Sequence, residues 1–129
     1  MRKTTIVTIS LLIKSLALIG LFPALFADSI VVMSYNIHRG GVIHKKQPLS
    51  QTAKGIQLAK PDIVGIQETR SPRGDTLEDL AKLLGWNHDG GKGSNILTRY
   101  EILESLHSGI KIKLDSGRHA YVFNVHLSS

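Results

Sequence analysis

Ile30-Val31-Val32-Met33-Ser34-Tyr35-Asn36-Ile37 and Asp62-Ile63-Val64-Gly65-Ile66-Gln67-Glu68 are the stretches on which the fold turns. Each is rich in β-branched residues and apolar almost throughout, the pattern of a strand covered on both faces. Between them Leu49, Ala53, Ile56 and Ala59 recur at helical spacing, and Pro61, with no N–H to extend the ladder, stops that helix. The loop from His38 to Pro48 is polar and carries Gly40, Gly41, Lys45 and Lys46. Strand, helix, strand in this order predicts a right-handed crossover, which sets the strands parallel and their ends on one edge of the sheet. Asn36 and Glu68 close the two strands, so the crossover brings them to that edge.

Working outward, a second helix is expected with Asp75 as its cap and Glu78 three residues on. Leu77, Leu80, Ala81 and Leu84 form its apolar stripe, and Gly85 is the left-handed stop. Trp86 is expected to pack over the helix end. Asp89-Gly90-Gly91-Lys92-Gly93-Ser94 lacks the spacing of a phosphate-cradling loop and reads as a flexible connector, followed by a short strand Asn95-Ile96-Leu97-Thr98. From Ile110 to Asp115 apolar and polar residues alternate strictly; Asp115-Ser116-Gly117-Arg118 is a turn, and Ala120 to Leu127 returns as the partner strand of a hairpin. On that strand Tyr121, Phe123, Val125 and Leu127 share one face, and Val122, Asn124 and His126 the other.

Composition bounds the function. The 129 residues contain no cysteine, which excludes a thiol nucleophile, a thiolate zinc site, an iron–sulfur cluster and a disulfide scaffold. At 42% hydrophobic and 20% charged the chain can bury a core, and it is long enough for one domain at most. Met1 to Ala27 opens with Arg2 and Lys3 and continues apolar to Phe26, with Lys14 interrupting the run and Pro23 near its end. The uninterrupted part falls short of the ~20 residues a spanning helix needs, so residues 1–27 read as a secretory signal peptide and residues 28–129 as the exported domain, periplasmic or extracellular, with no stable membrane insertion. An uncleaved anchor is the alternative reading. Of the 16 basic residues, Arg2, Lys3 and Lys14 belong to that segment, and the remaining 13 against 10 acids leave +3. Such a surface suits an anionic phosphate substrate better than it suits coating a nucleic acid.

A polar side chain at the end of a buried strand is unfavourable for packing and asks for a partner or a task. Asn36 and Glu68 together would present an amide oxygen and a carboxylate, the hard donors that Mg²⁺ prefers. The same residues also suit structural roles, with Asn36 capping a turn and Glu68 paired with Arg70 or a helix N-terminus. His126 follows Asn124 on one strand face, where an imidazole can donate to a phosphate oxygen or pair with a carboxylate. Arg39, Lys45 and Lys46, in the loop after Asn36, suit either substrate phosphate or solvent. His38 and His44 are at a spacing that fits no helix face, so they do not read as a metal pair.

Four segments carry a resemblance. Val32-Met33-Ser34-Tyr35-Asn36-Ile37-His38-Arg39-Gly40 resembles the opening motif of the endonuclease/exonuclease/phosphatase superfamily, the deoxyribonuclease-I-like fold. Pro61-Asp62-Ile63-Val64-Gly65-Ile66-Gln67-Glu68-Thr69 resembles its second motif, Gly93-Ser94-Asn95-Ile96-Leu97-Thr98-Arg99-Tyr100-Glu101-Ile102 its third, and Phe123-Asn124-Val125-His126-Leu127 its Asn-Thr-His-Leu strand. The four stand in family order. The resemblance implies an α/β fold, the N-terminal half of a two-sheet β-sandwich flanked by helices, and a metal-dependent phosphoester hydrolase using Mg²⁺ or Mn²⁺. On it, Glu68 binds the cation, Asn36 orients the metal or its water, His126 hydrogen-bonds the phosphoryl group, Asn124 and Arg39 approach substrate phosphate, and Gln67 supports Glu68. The substrate is a phosphoester: nucleic acid, phospholipid headgroup or small phosphate. Two departures stand in the third segment, where Asn95 lies one position from the family's Asn and Glu101 replaces a proline. The family's later Asp-x-Asn and Asp-His motifs do not occur in this sequence, so the expected site lacks a general base. It is either completed by a C-terminal half, or belongs to a catalytically inactive remnant or binding module. The strands are expected to make one sheet of the sandwich, with an apolar face or edge left open.

Overall fold

The computed structural model describes residues 28–41, 48–71 and 74–127; the segment read as a signal peptide lies outside the described residues, as do His44, Lys45 and Lys46. In chain order the elements are β1 (Val32–Asn36), α1 (Leu49–Ala59), β2 (Ile63–Gln67), β3 (Arg70–Ser71), β4 (Gly74–Asp75), α2 (Leu77–Leu84), β5 (Asn87–Asp89), β6 (Ile96–Thr98), β7 (Glu101–Leu106), β8 (Gly109–Lys113) and β9 (His119–Phe123). A four-stranded sheet runs β1-β2-β6-β5, and a separate antiparallel meander runs β7-β8-β9. β1 and β2 are parallel with α1 between them, and Asn36 stands opposite Gln67 at their common end. The predicted crossover is thus present. β6 pairs antiparallel with both β2 and β5, which makes the sheet mixed. The chain is an α/β protein. Among the described residues no helix is long and apolar enough to cross a membrane.

The expectation of a single sheet is corrected, because the meander covers the first sheet's second face. On one face Ala53 and Ile56 of α1 and Leu77, Leu80 and Ala81 of α2 pack on Val64, Ile66 and Leu97. On the other, Ile110, Ile112 and Leu114 pack on Ile63 and Ile96. The period-2 alternation of strands sends 64 and 66 to the helices and 63 to the meander, so β2 is buried on both sides, as its sequence predicts. β1 is not. It lies at the sheet edge, and its Val32 is 64% exposed while Met33 and Tyr35 lean on the helical core. The open apolar surface is the outer side of the last strand and its extension, where Tyr121, Phe123, Val125 and Leu127 are exposed and Lys111 sits over the Tyr121 ring.

The helix ends follow local chemistry, with one shift. Gly85 closes α2 in the left-handed conformation at φ 68°, as expected. The N-cap position falls on Thr76 rather than Asp75. The Thr76 hydroxyl is turned away, donating to the Thr69 carbonyl at 2.9 Å, and Asp75 instead accepts the Leu77 N–H at 3.0 Å.

The segment read as a flexible connector is tied down. Asp89 is buried, and its carboxylate accepts the Gly91 N–H at 2.8 Å, the Ser94 hydroxyl at 2.5 Å and the Ser105 hydroxyl of β7. Burial pushes the Asp89 carboxyl up, but the Ser105 and Ser94 hydroxyls and the Gly91 N–H outweigh it and hold the group below its ordinary value. A carboxyl depressed in the folded state stabilises the fold fully above its unfolded pKa, about 3.9, and loses that contribution as pH falls through the lower folded value. Asp89→Asn is therefore expected to be less stable than the wild type near neutrality, with the gap shrinking below pH ~4. Melting temperatures across an acid titration check this; a gap that stays constant with pH would remove Asp89 as the source.

Candidate functional site

The crossover delivers Asn36 and Glu68 to one sheet edge, and the loop after β1 folds back over them. The Asn36 amide nitrogen donates to Glu68 Oε1 at 2.9 Å, while Asn36 Oδ1 accepts the His38 backbone N–H at 2.9 Å. His38 Nδ1 lies 3.1 Å from Glu68 Oε2, and the Arg39 N–H points at the same oxygen from 3.4 Å. Four consecutive residues make this return possible by adopting positive φ: His38 at 45°, Arg39 at 50°, Gly40 at 75° and Gly41 at 71°. Glu68 does the same at 58°, and its carbonyl accepts the Gly40 N–H at 2.6 Å. Non-glycine residues in this region carry backbone strain, which persists only where the surroundings fix it and which clusters at functional sites. The Asn36 amide, together with the Arg39 N–H and His38, holds the Glu68 carboxyl below its ordinary pKa against a smaller opposing effect of burial. Glu68 is ionised at neutral pH, and its side chain remains 33% exposed.

The other residues singled out in the sequence divide. Gln67 points to the opposite side of β2, where its amide nitrogen donates to Asn124 Oδ1 at 2.8 Å and to the Ser34 hydroxyl at 3.3 Å. The Asn124 amide nitrogen donates to the carbonyls of Ser94 at 2.8 Å, Ile66 at 3.0 Å and Asn95 at 3.2 Å. Both ends of that amide are committed within the protein, and they fasten the end of β9 across the ends of β2 and β6. His126, two residues on, is exposed and makes no hydrogen bond or ion pair with the described residues. The Arg39 side chain is exposed, and it is the Arg39 backbone N–H that faces Glu68. Glu68 pairs with His38 rather than with Arg70.

A cleft of about 240 Å³ opens beside Glu68, with Arg70, Asp75 and Asn95 among its walls. From sequence Asp75 reads as a helix cap and Asn95 as displaced by one position; both line the cleft. Asn95 is held at φ 41° with its carbonyl accepting the Ile66 N–H at 2.9 Å, an irregularity at the start of β6 that places it on the cleft. His38, weighed from sequence only as a partner of His44, instead meets Glu68. The sequence signal for that contact is its place two residues after a strand-end Asn and directly before Arg39-Gly40-Gly41. A second groove, about 600 Å³, runs past Trp86, His88, Arg99 and Glu101 and shares no lining residue with the cleft.

Among the described residues no three His, Cys, Asp or Glu side chains converge. Glu68 nevertheless suits Mg²⁺ or Mn²⁺ by donor type, because Mg²⁺ commonly uses one or two carboxylates and keeps several waters, whereas Asn36, expected to offer its oxygen, turns its amide nitrogen to Glu68 and its oxygen to the His38 N–H. An ionised, part-exposed carboxylate leaves room for those waters. No protein-family model, curated protein or solved structure matches this chain.

Proposed function

We propose that this chain carries the cation-holding half of a phosphoester-hydrolase site. The observation that carries the reading is the 2.9 Å contact between Asn36 and an ionised Glu68 at the shared end of two parallel strands. Glu68 would hold the cation, Mg²⁺ or Mn²⁺, and Asn36 would help orient it or its water. When bound, such a cation polarises a phosphoryl oxygen and neutralises the charge that grows as water attacks phosphorus. The Asn36 amide fixes the rotamer of Glu68, and the Gln67–Asn124 contact fixes the strand end that carries it. Arg39 and His126 are the chain's donors to the remaining phosphoryl oxygens, with the Asn124 backbone setting where His126 leaves the strand. The substrate class is a phosphoester of a nucleic acid, a lipid headgroup or a small phosphate, in keeping with the chain's net positive charge. No described residue stands as a general base, so the site is incomplete by itself and a complementing C-terminal half would supply that group. A catalytically inactive binding module of the same fold is the second reading, favoured by Asn36 Oδ1 being taken up by the His38 N–H.

The test is Mn²⁺ titration of the full chain together with hydrolysis of a chromogenic phosphodiester. Mn²⁺ binding is expected in the wild type and lost in Glu68→Gln, with no turnover by the chain alone. Binding indifferent to Glu68→Gln would sink the reading, and turnover abolished by Glu68→Ala would refute the incompleteness.

A further inference from the structure

The imidazole of His38 lies against the Glu68 carboxylate on a loop that Glu68's own carbonyl anchors, and neither sequence motif nor donor count assigns it a task. We propose that His38 is a nitrogen ligand of the same cation, through Nδ1, and that it makes the site prefer a first-row transition cation, Mn²⁺ or Zn²⁺, over Mg²⁺. This rests on the reading of Glu68 as the cation's carboxylate.

Three observations support it. Two neighbouring ligands of an octahedral cation with bonds of about 2.1 Å stand about 3.0 Å apart, and His38 Nδ1 and Glu68 Oε2 are 3.1 Å apart. The two groups are also reachable by an ion with its waters, since the side chains are 55% and 33% exposed. Finally, the backbone that carries the imidazole is fixed by bonds of its own. The His38 N–H is held by Asn36 Oδ1 and the Gly40 N–H by the Glu68 carbonyl, so ring and carboxylate are preorganised on one unit. Imidazole suits transition metals, whereas Mg²⁺ is served by carboxylate, carbonyl and water. A simple hydrogen bond has the same length as the ligand separation, so the experiment must read the nitrogen itself.

Free Mn²⁺ is titrated by electron paramagnetic resonance against the full chain, with Mg²⁺ as competitor, and bound Mn²⁺ is examined for nitrogen hyperfine coupling. His38→Asn is the variant of choice, because asparagine tolerates the left-handed backbone that His38 adopts at φ 45°. The expected result is a loss of Mn²⁺ affinity of about tenfold or more, a Mg²⁺ competition constant within about twofold of wild type, and disappearance of the nitrogen coupling. Mn²⁺ binding that is lost in Glu68→Gln but unchanged in His38→Asn overturns the His38 assignment and leaves the Glu68 reading standing. Absence of Mn²⁺ binding in the wild type, or binding indifferent to Glu68→Gln, overturns both. If His38→Asn does not fold, the wild-type spectrum decides: Glu68-dependent Mn²⁺ without nitrogen coupling overturns the assignment.

Discussion

Asn124→Asp is expected to destabilise the protein by about 3–5 kcal/mol, and Asn124→Ala by about 2–4 kcal/mol. The wild-type amide donates to the carbonyls of Ile66, Ser94 and Asn95 and accepts from the buried Gln67 amide. Truncation to alanine leaves the Gln67 amide only its longer 3.3 Å bonds to the Ser34 hydroxyl and the Gly65 carbonyl and removes the donor from those carbonyls, and each buried polar group left unsatisfied costs about 1–3 kcal/mol. Aspartate is worse despite matching the shape. It keeps the acceptor for Gln67 but turns an oxygen toward carbonyl oxygens that need a donor. In a domain of this size each kcal/mol moves the melting temperature by roughly 4–8 °C, so the aspartate variant should melt at least ~12 °C lower. The same contact explains why β2 carries a glycine at 65. A Cβ there would come within 2.8 Å of Asn124 Oδ1. Urea midpoints for the three proteins check the ranking, and an Asn124→Asp within about 0.5 kcal/mol of wild type would mean that this amide does not clamp the sheets.

The parts of the fold that were legible in the sequence are those where one physical pattern dominates. β2 reads as a doubly buried strand because Ile63, Val64 and Ile66 leave no polar face, and α2 reads as a helix because its stripe and Gly85 agree. The alternation of Ile110 and Ile112 with Lys111 and Lys113 gives β8 directly, yet it does not tell which sheet the strand joins. β7 was not readable. Its register shifts between Ile102 and Glu104, which breaks the period-2 pattern, and Glu101, Glu104 and Ser105 are all exposed. β1 reads as doubly buried and is not, because an apolar run looks the same at a sheet edge as at its centre, and only the strand order decides.

At the site, the meeting of Asn36 and Glu68 followed from topology alone, since a parallel crossover leaves no other edge for either residue. Which atom of Asn36 faces Glu68 did not follow. The amide nitrogen takes that place because the loop's left-handed return puts the His38 N–H on the amide oxygen. That return depends on positive φ at His38 and Arg39, a conformation their residue types do not announce.

Gly40→Ala is the substitution expected to strike both fold and site. Gly40 sits at φ 75°, where an L-residue is strained, and there is no space for a side chain. A Cβ would meet Ser71 Cβ at 2.8 Å, the Thr69 carbonyl oxygen at 2.9 Å and Thr76 Cγ2 at 3.1 Å. Strain and overpacking together should cost about 2–4 kcal/mol. The Thr69 oxygen belongs to the backbone directly after Glu68, so it cannot move aside without moving the carboxylate. If the loop shifts instead, the Gly40 N–H leaves the Glu68 carbonyl and the His38 and Arg39 contacts to the carboxylate open with it. Either route disorganises the cation site, and Mn²⁺ affinity should fall with stability. Gly41→Ala is the control. Its φ of 71° carries similar backbone strain, but the nearest atom to its Cβ is Thr52 Oγ1 at 3.0 Å, a side-chain atom that can rotate away. It should cost about 1 kcal/mol and leave Mn²⁺ binding within about twofold of wild type. Should Gly40→Ala prove no less stable than Gly41→Ala, and bind Mn²⁺ equally well, the close packing of Gly40 on Thr69 and Ser71 is not what holds His38 against Glu68.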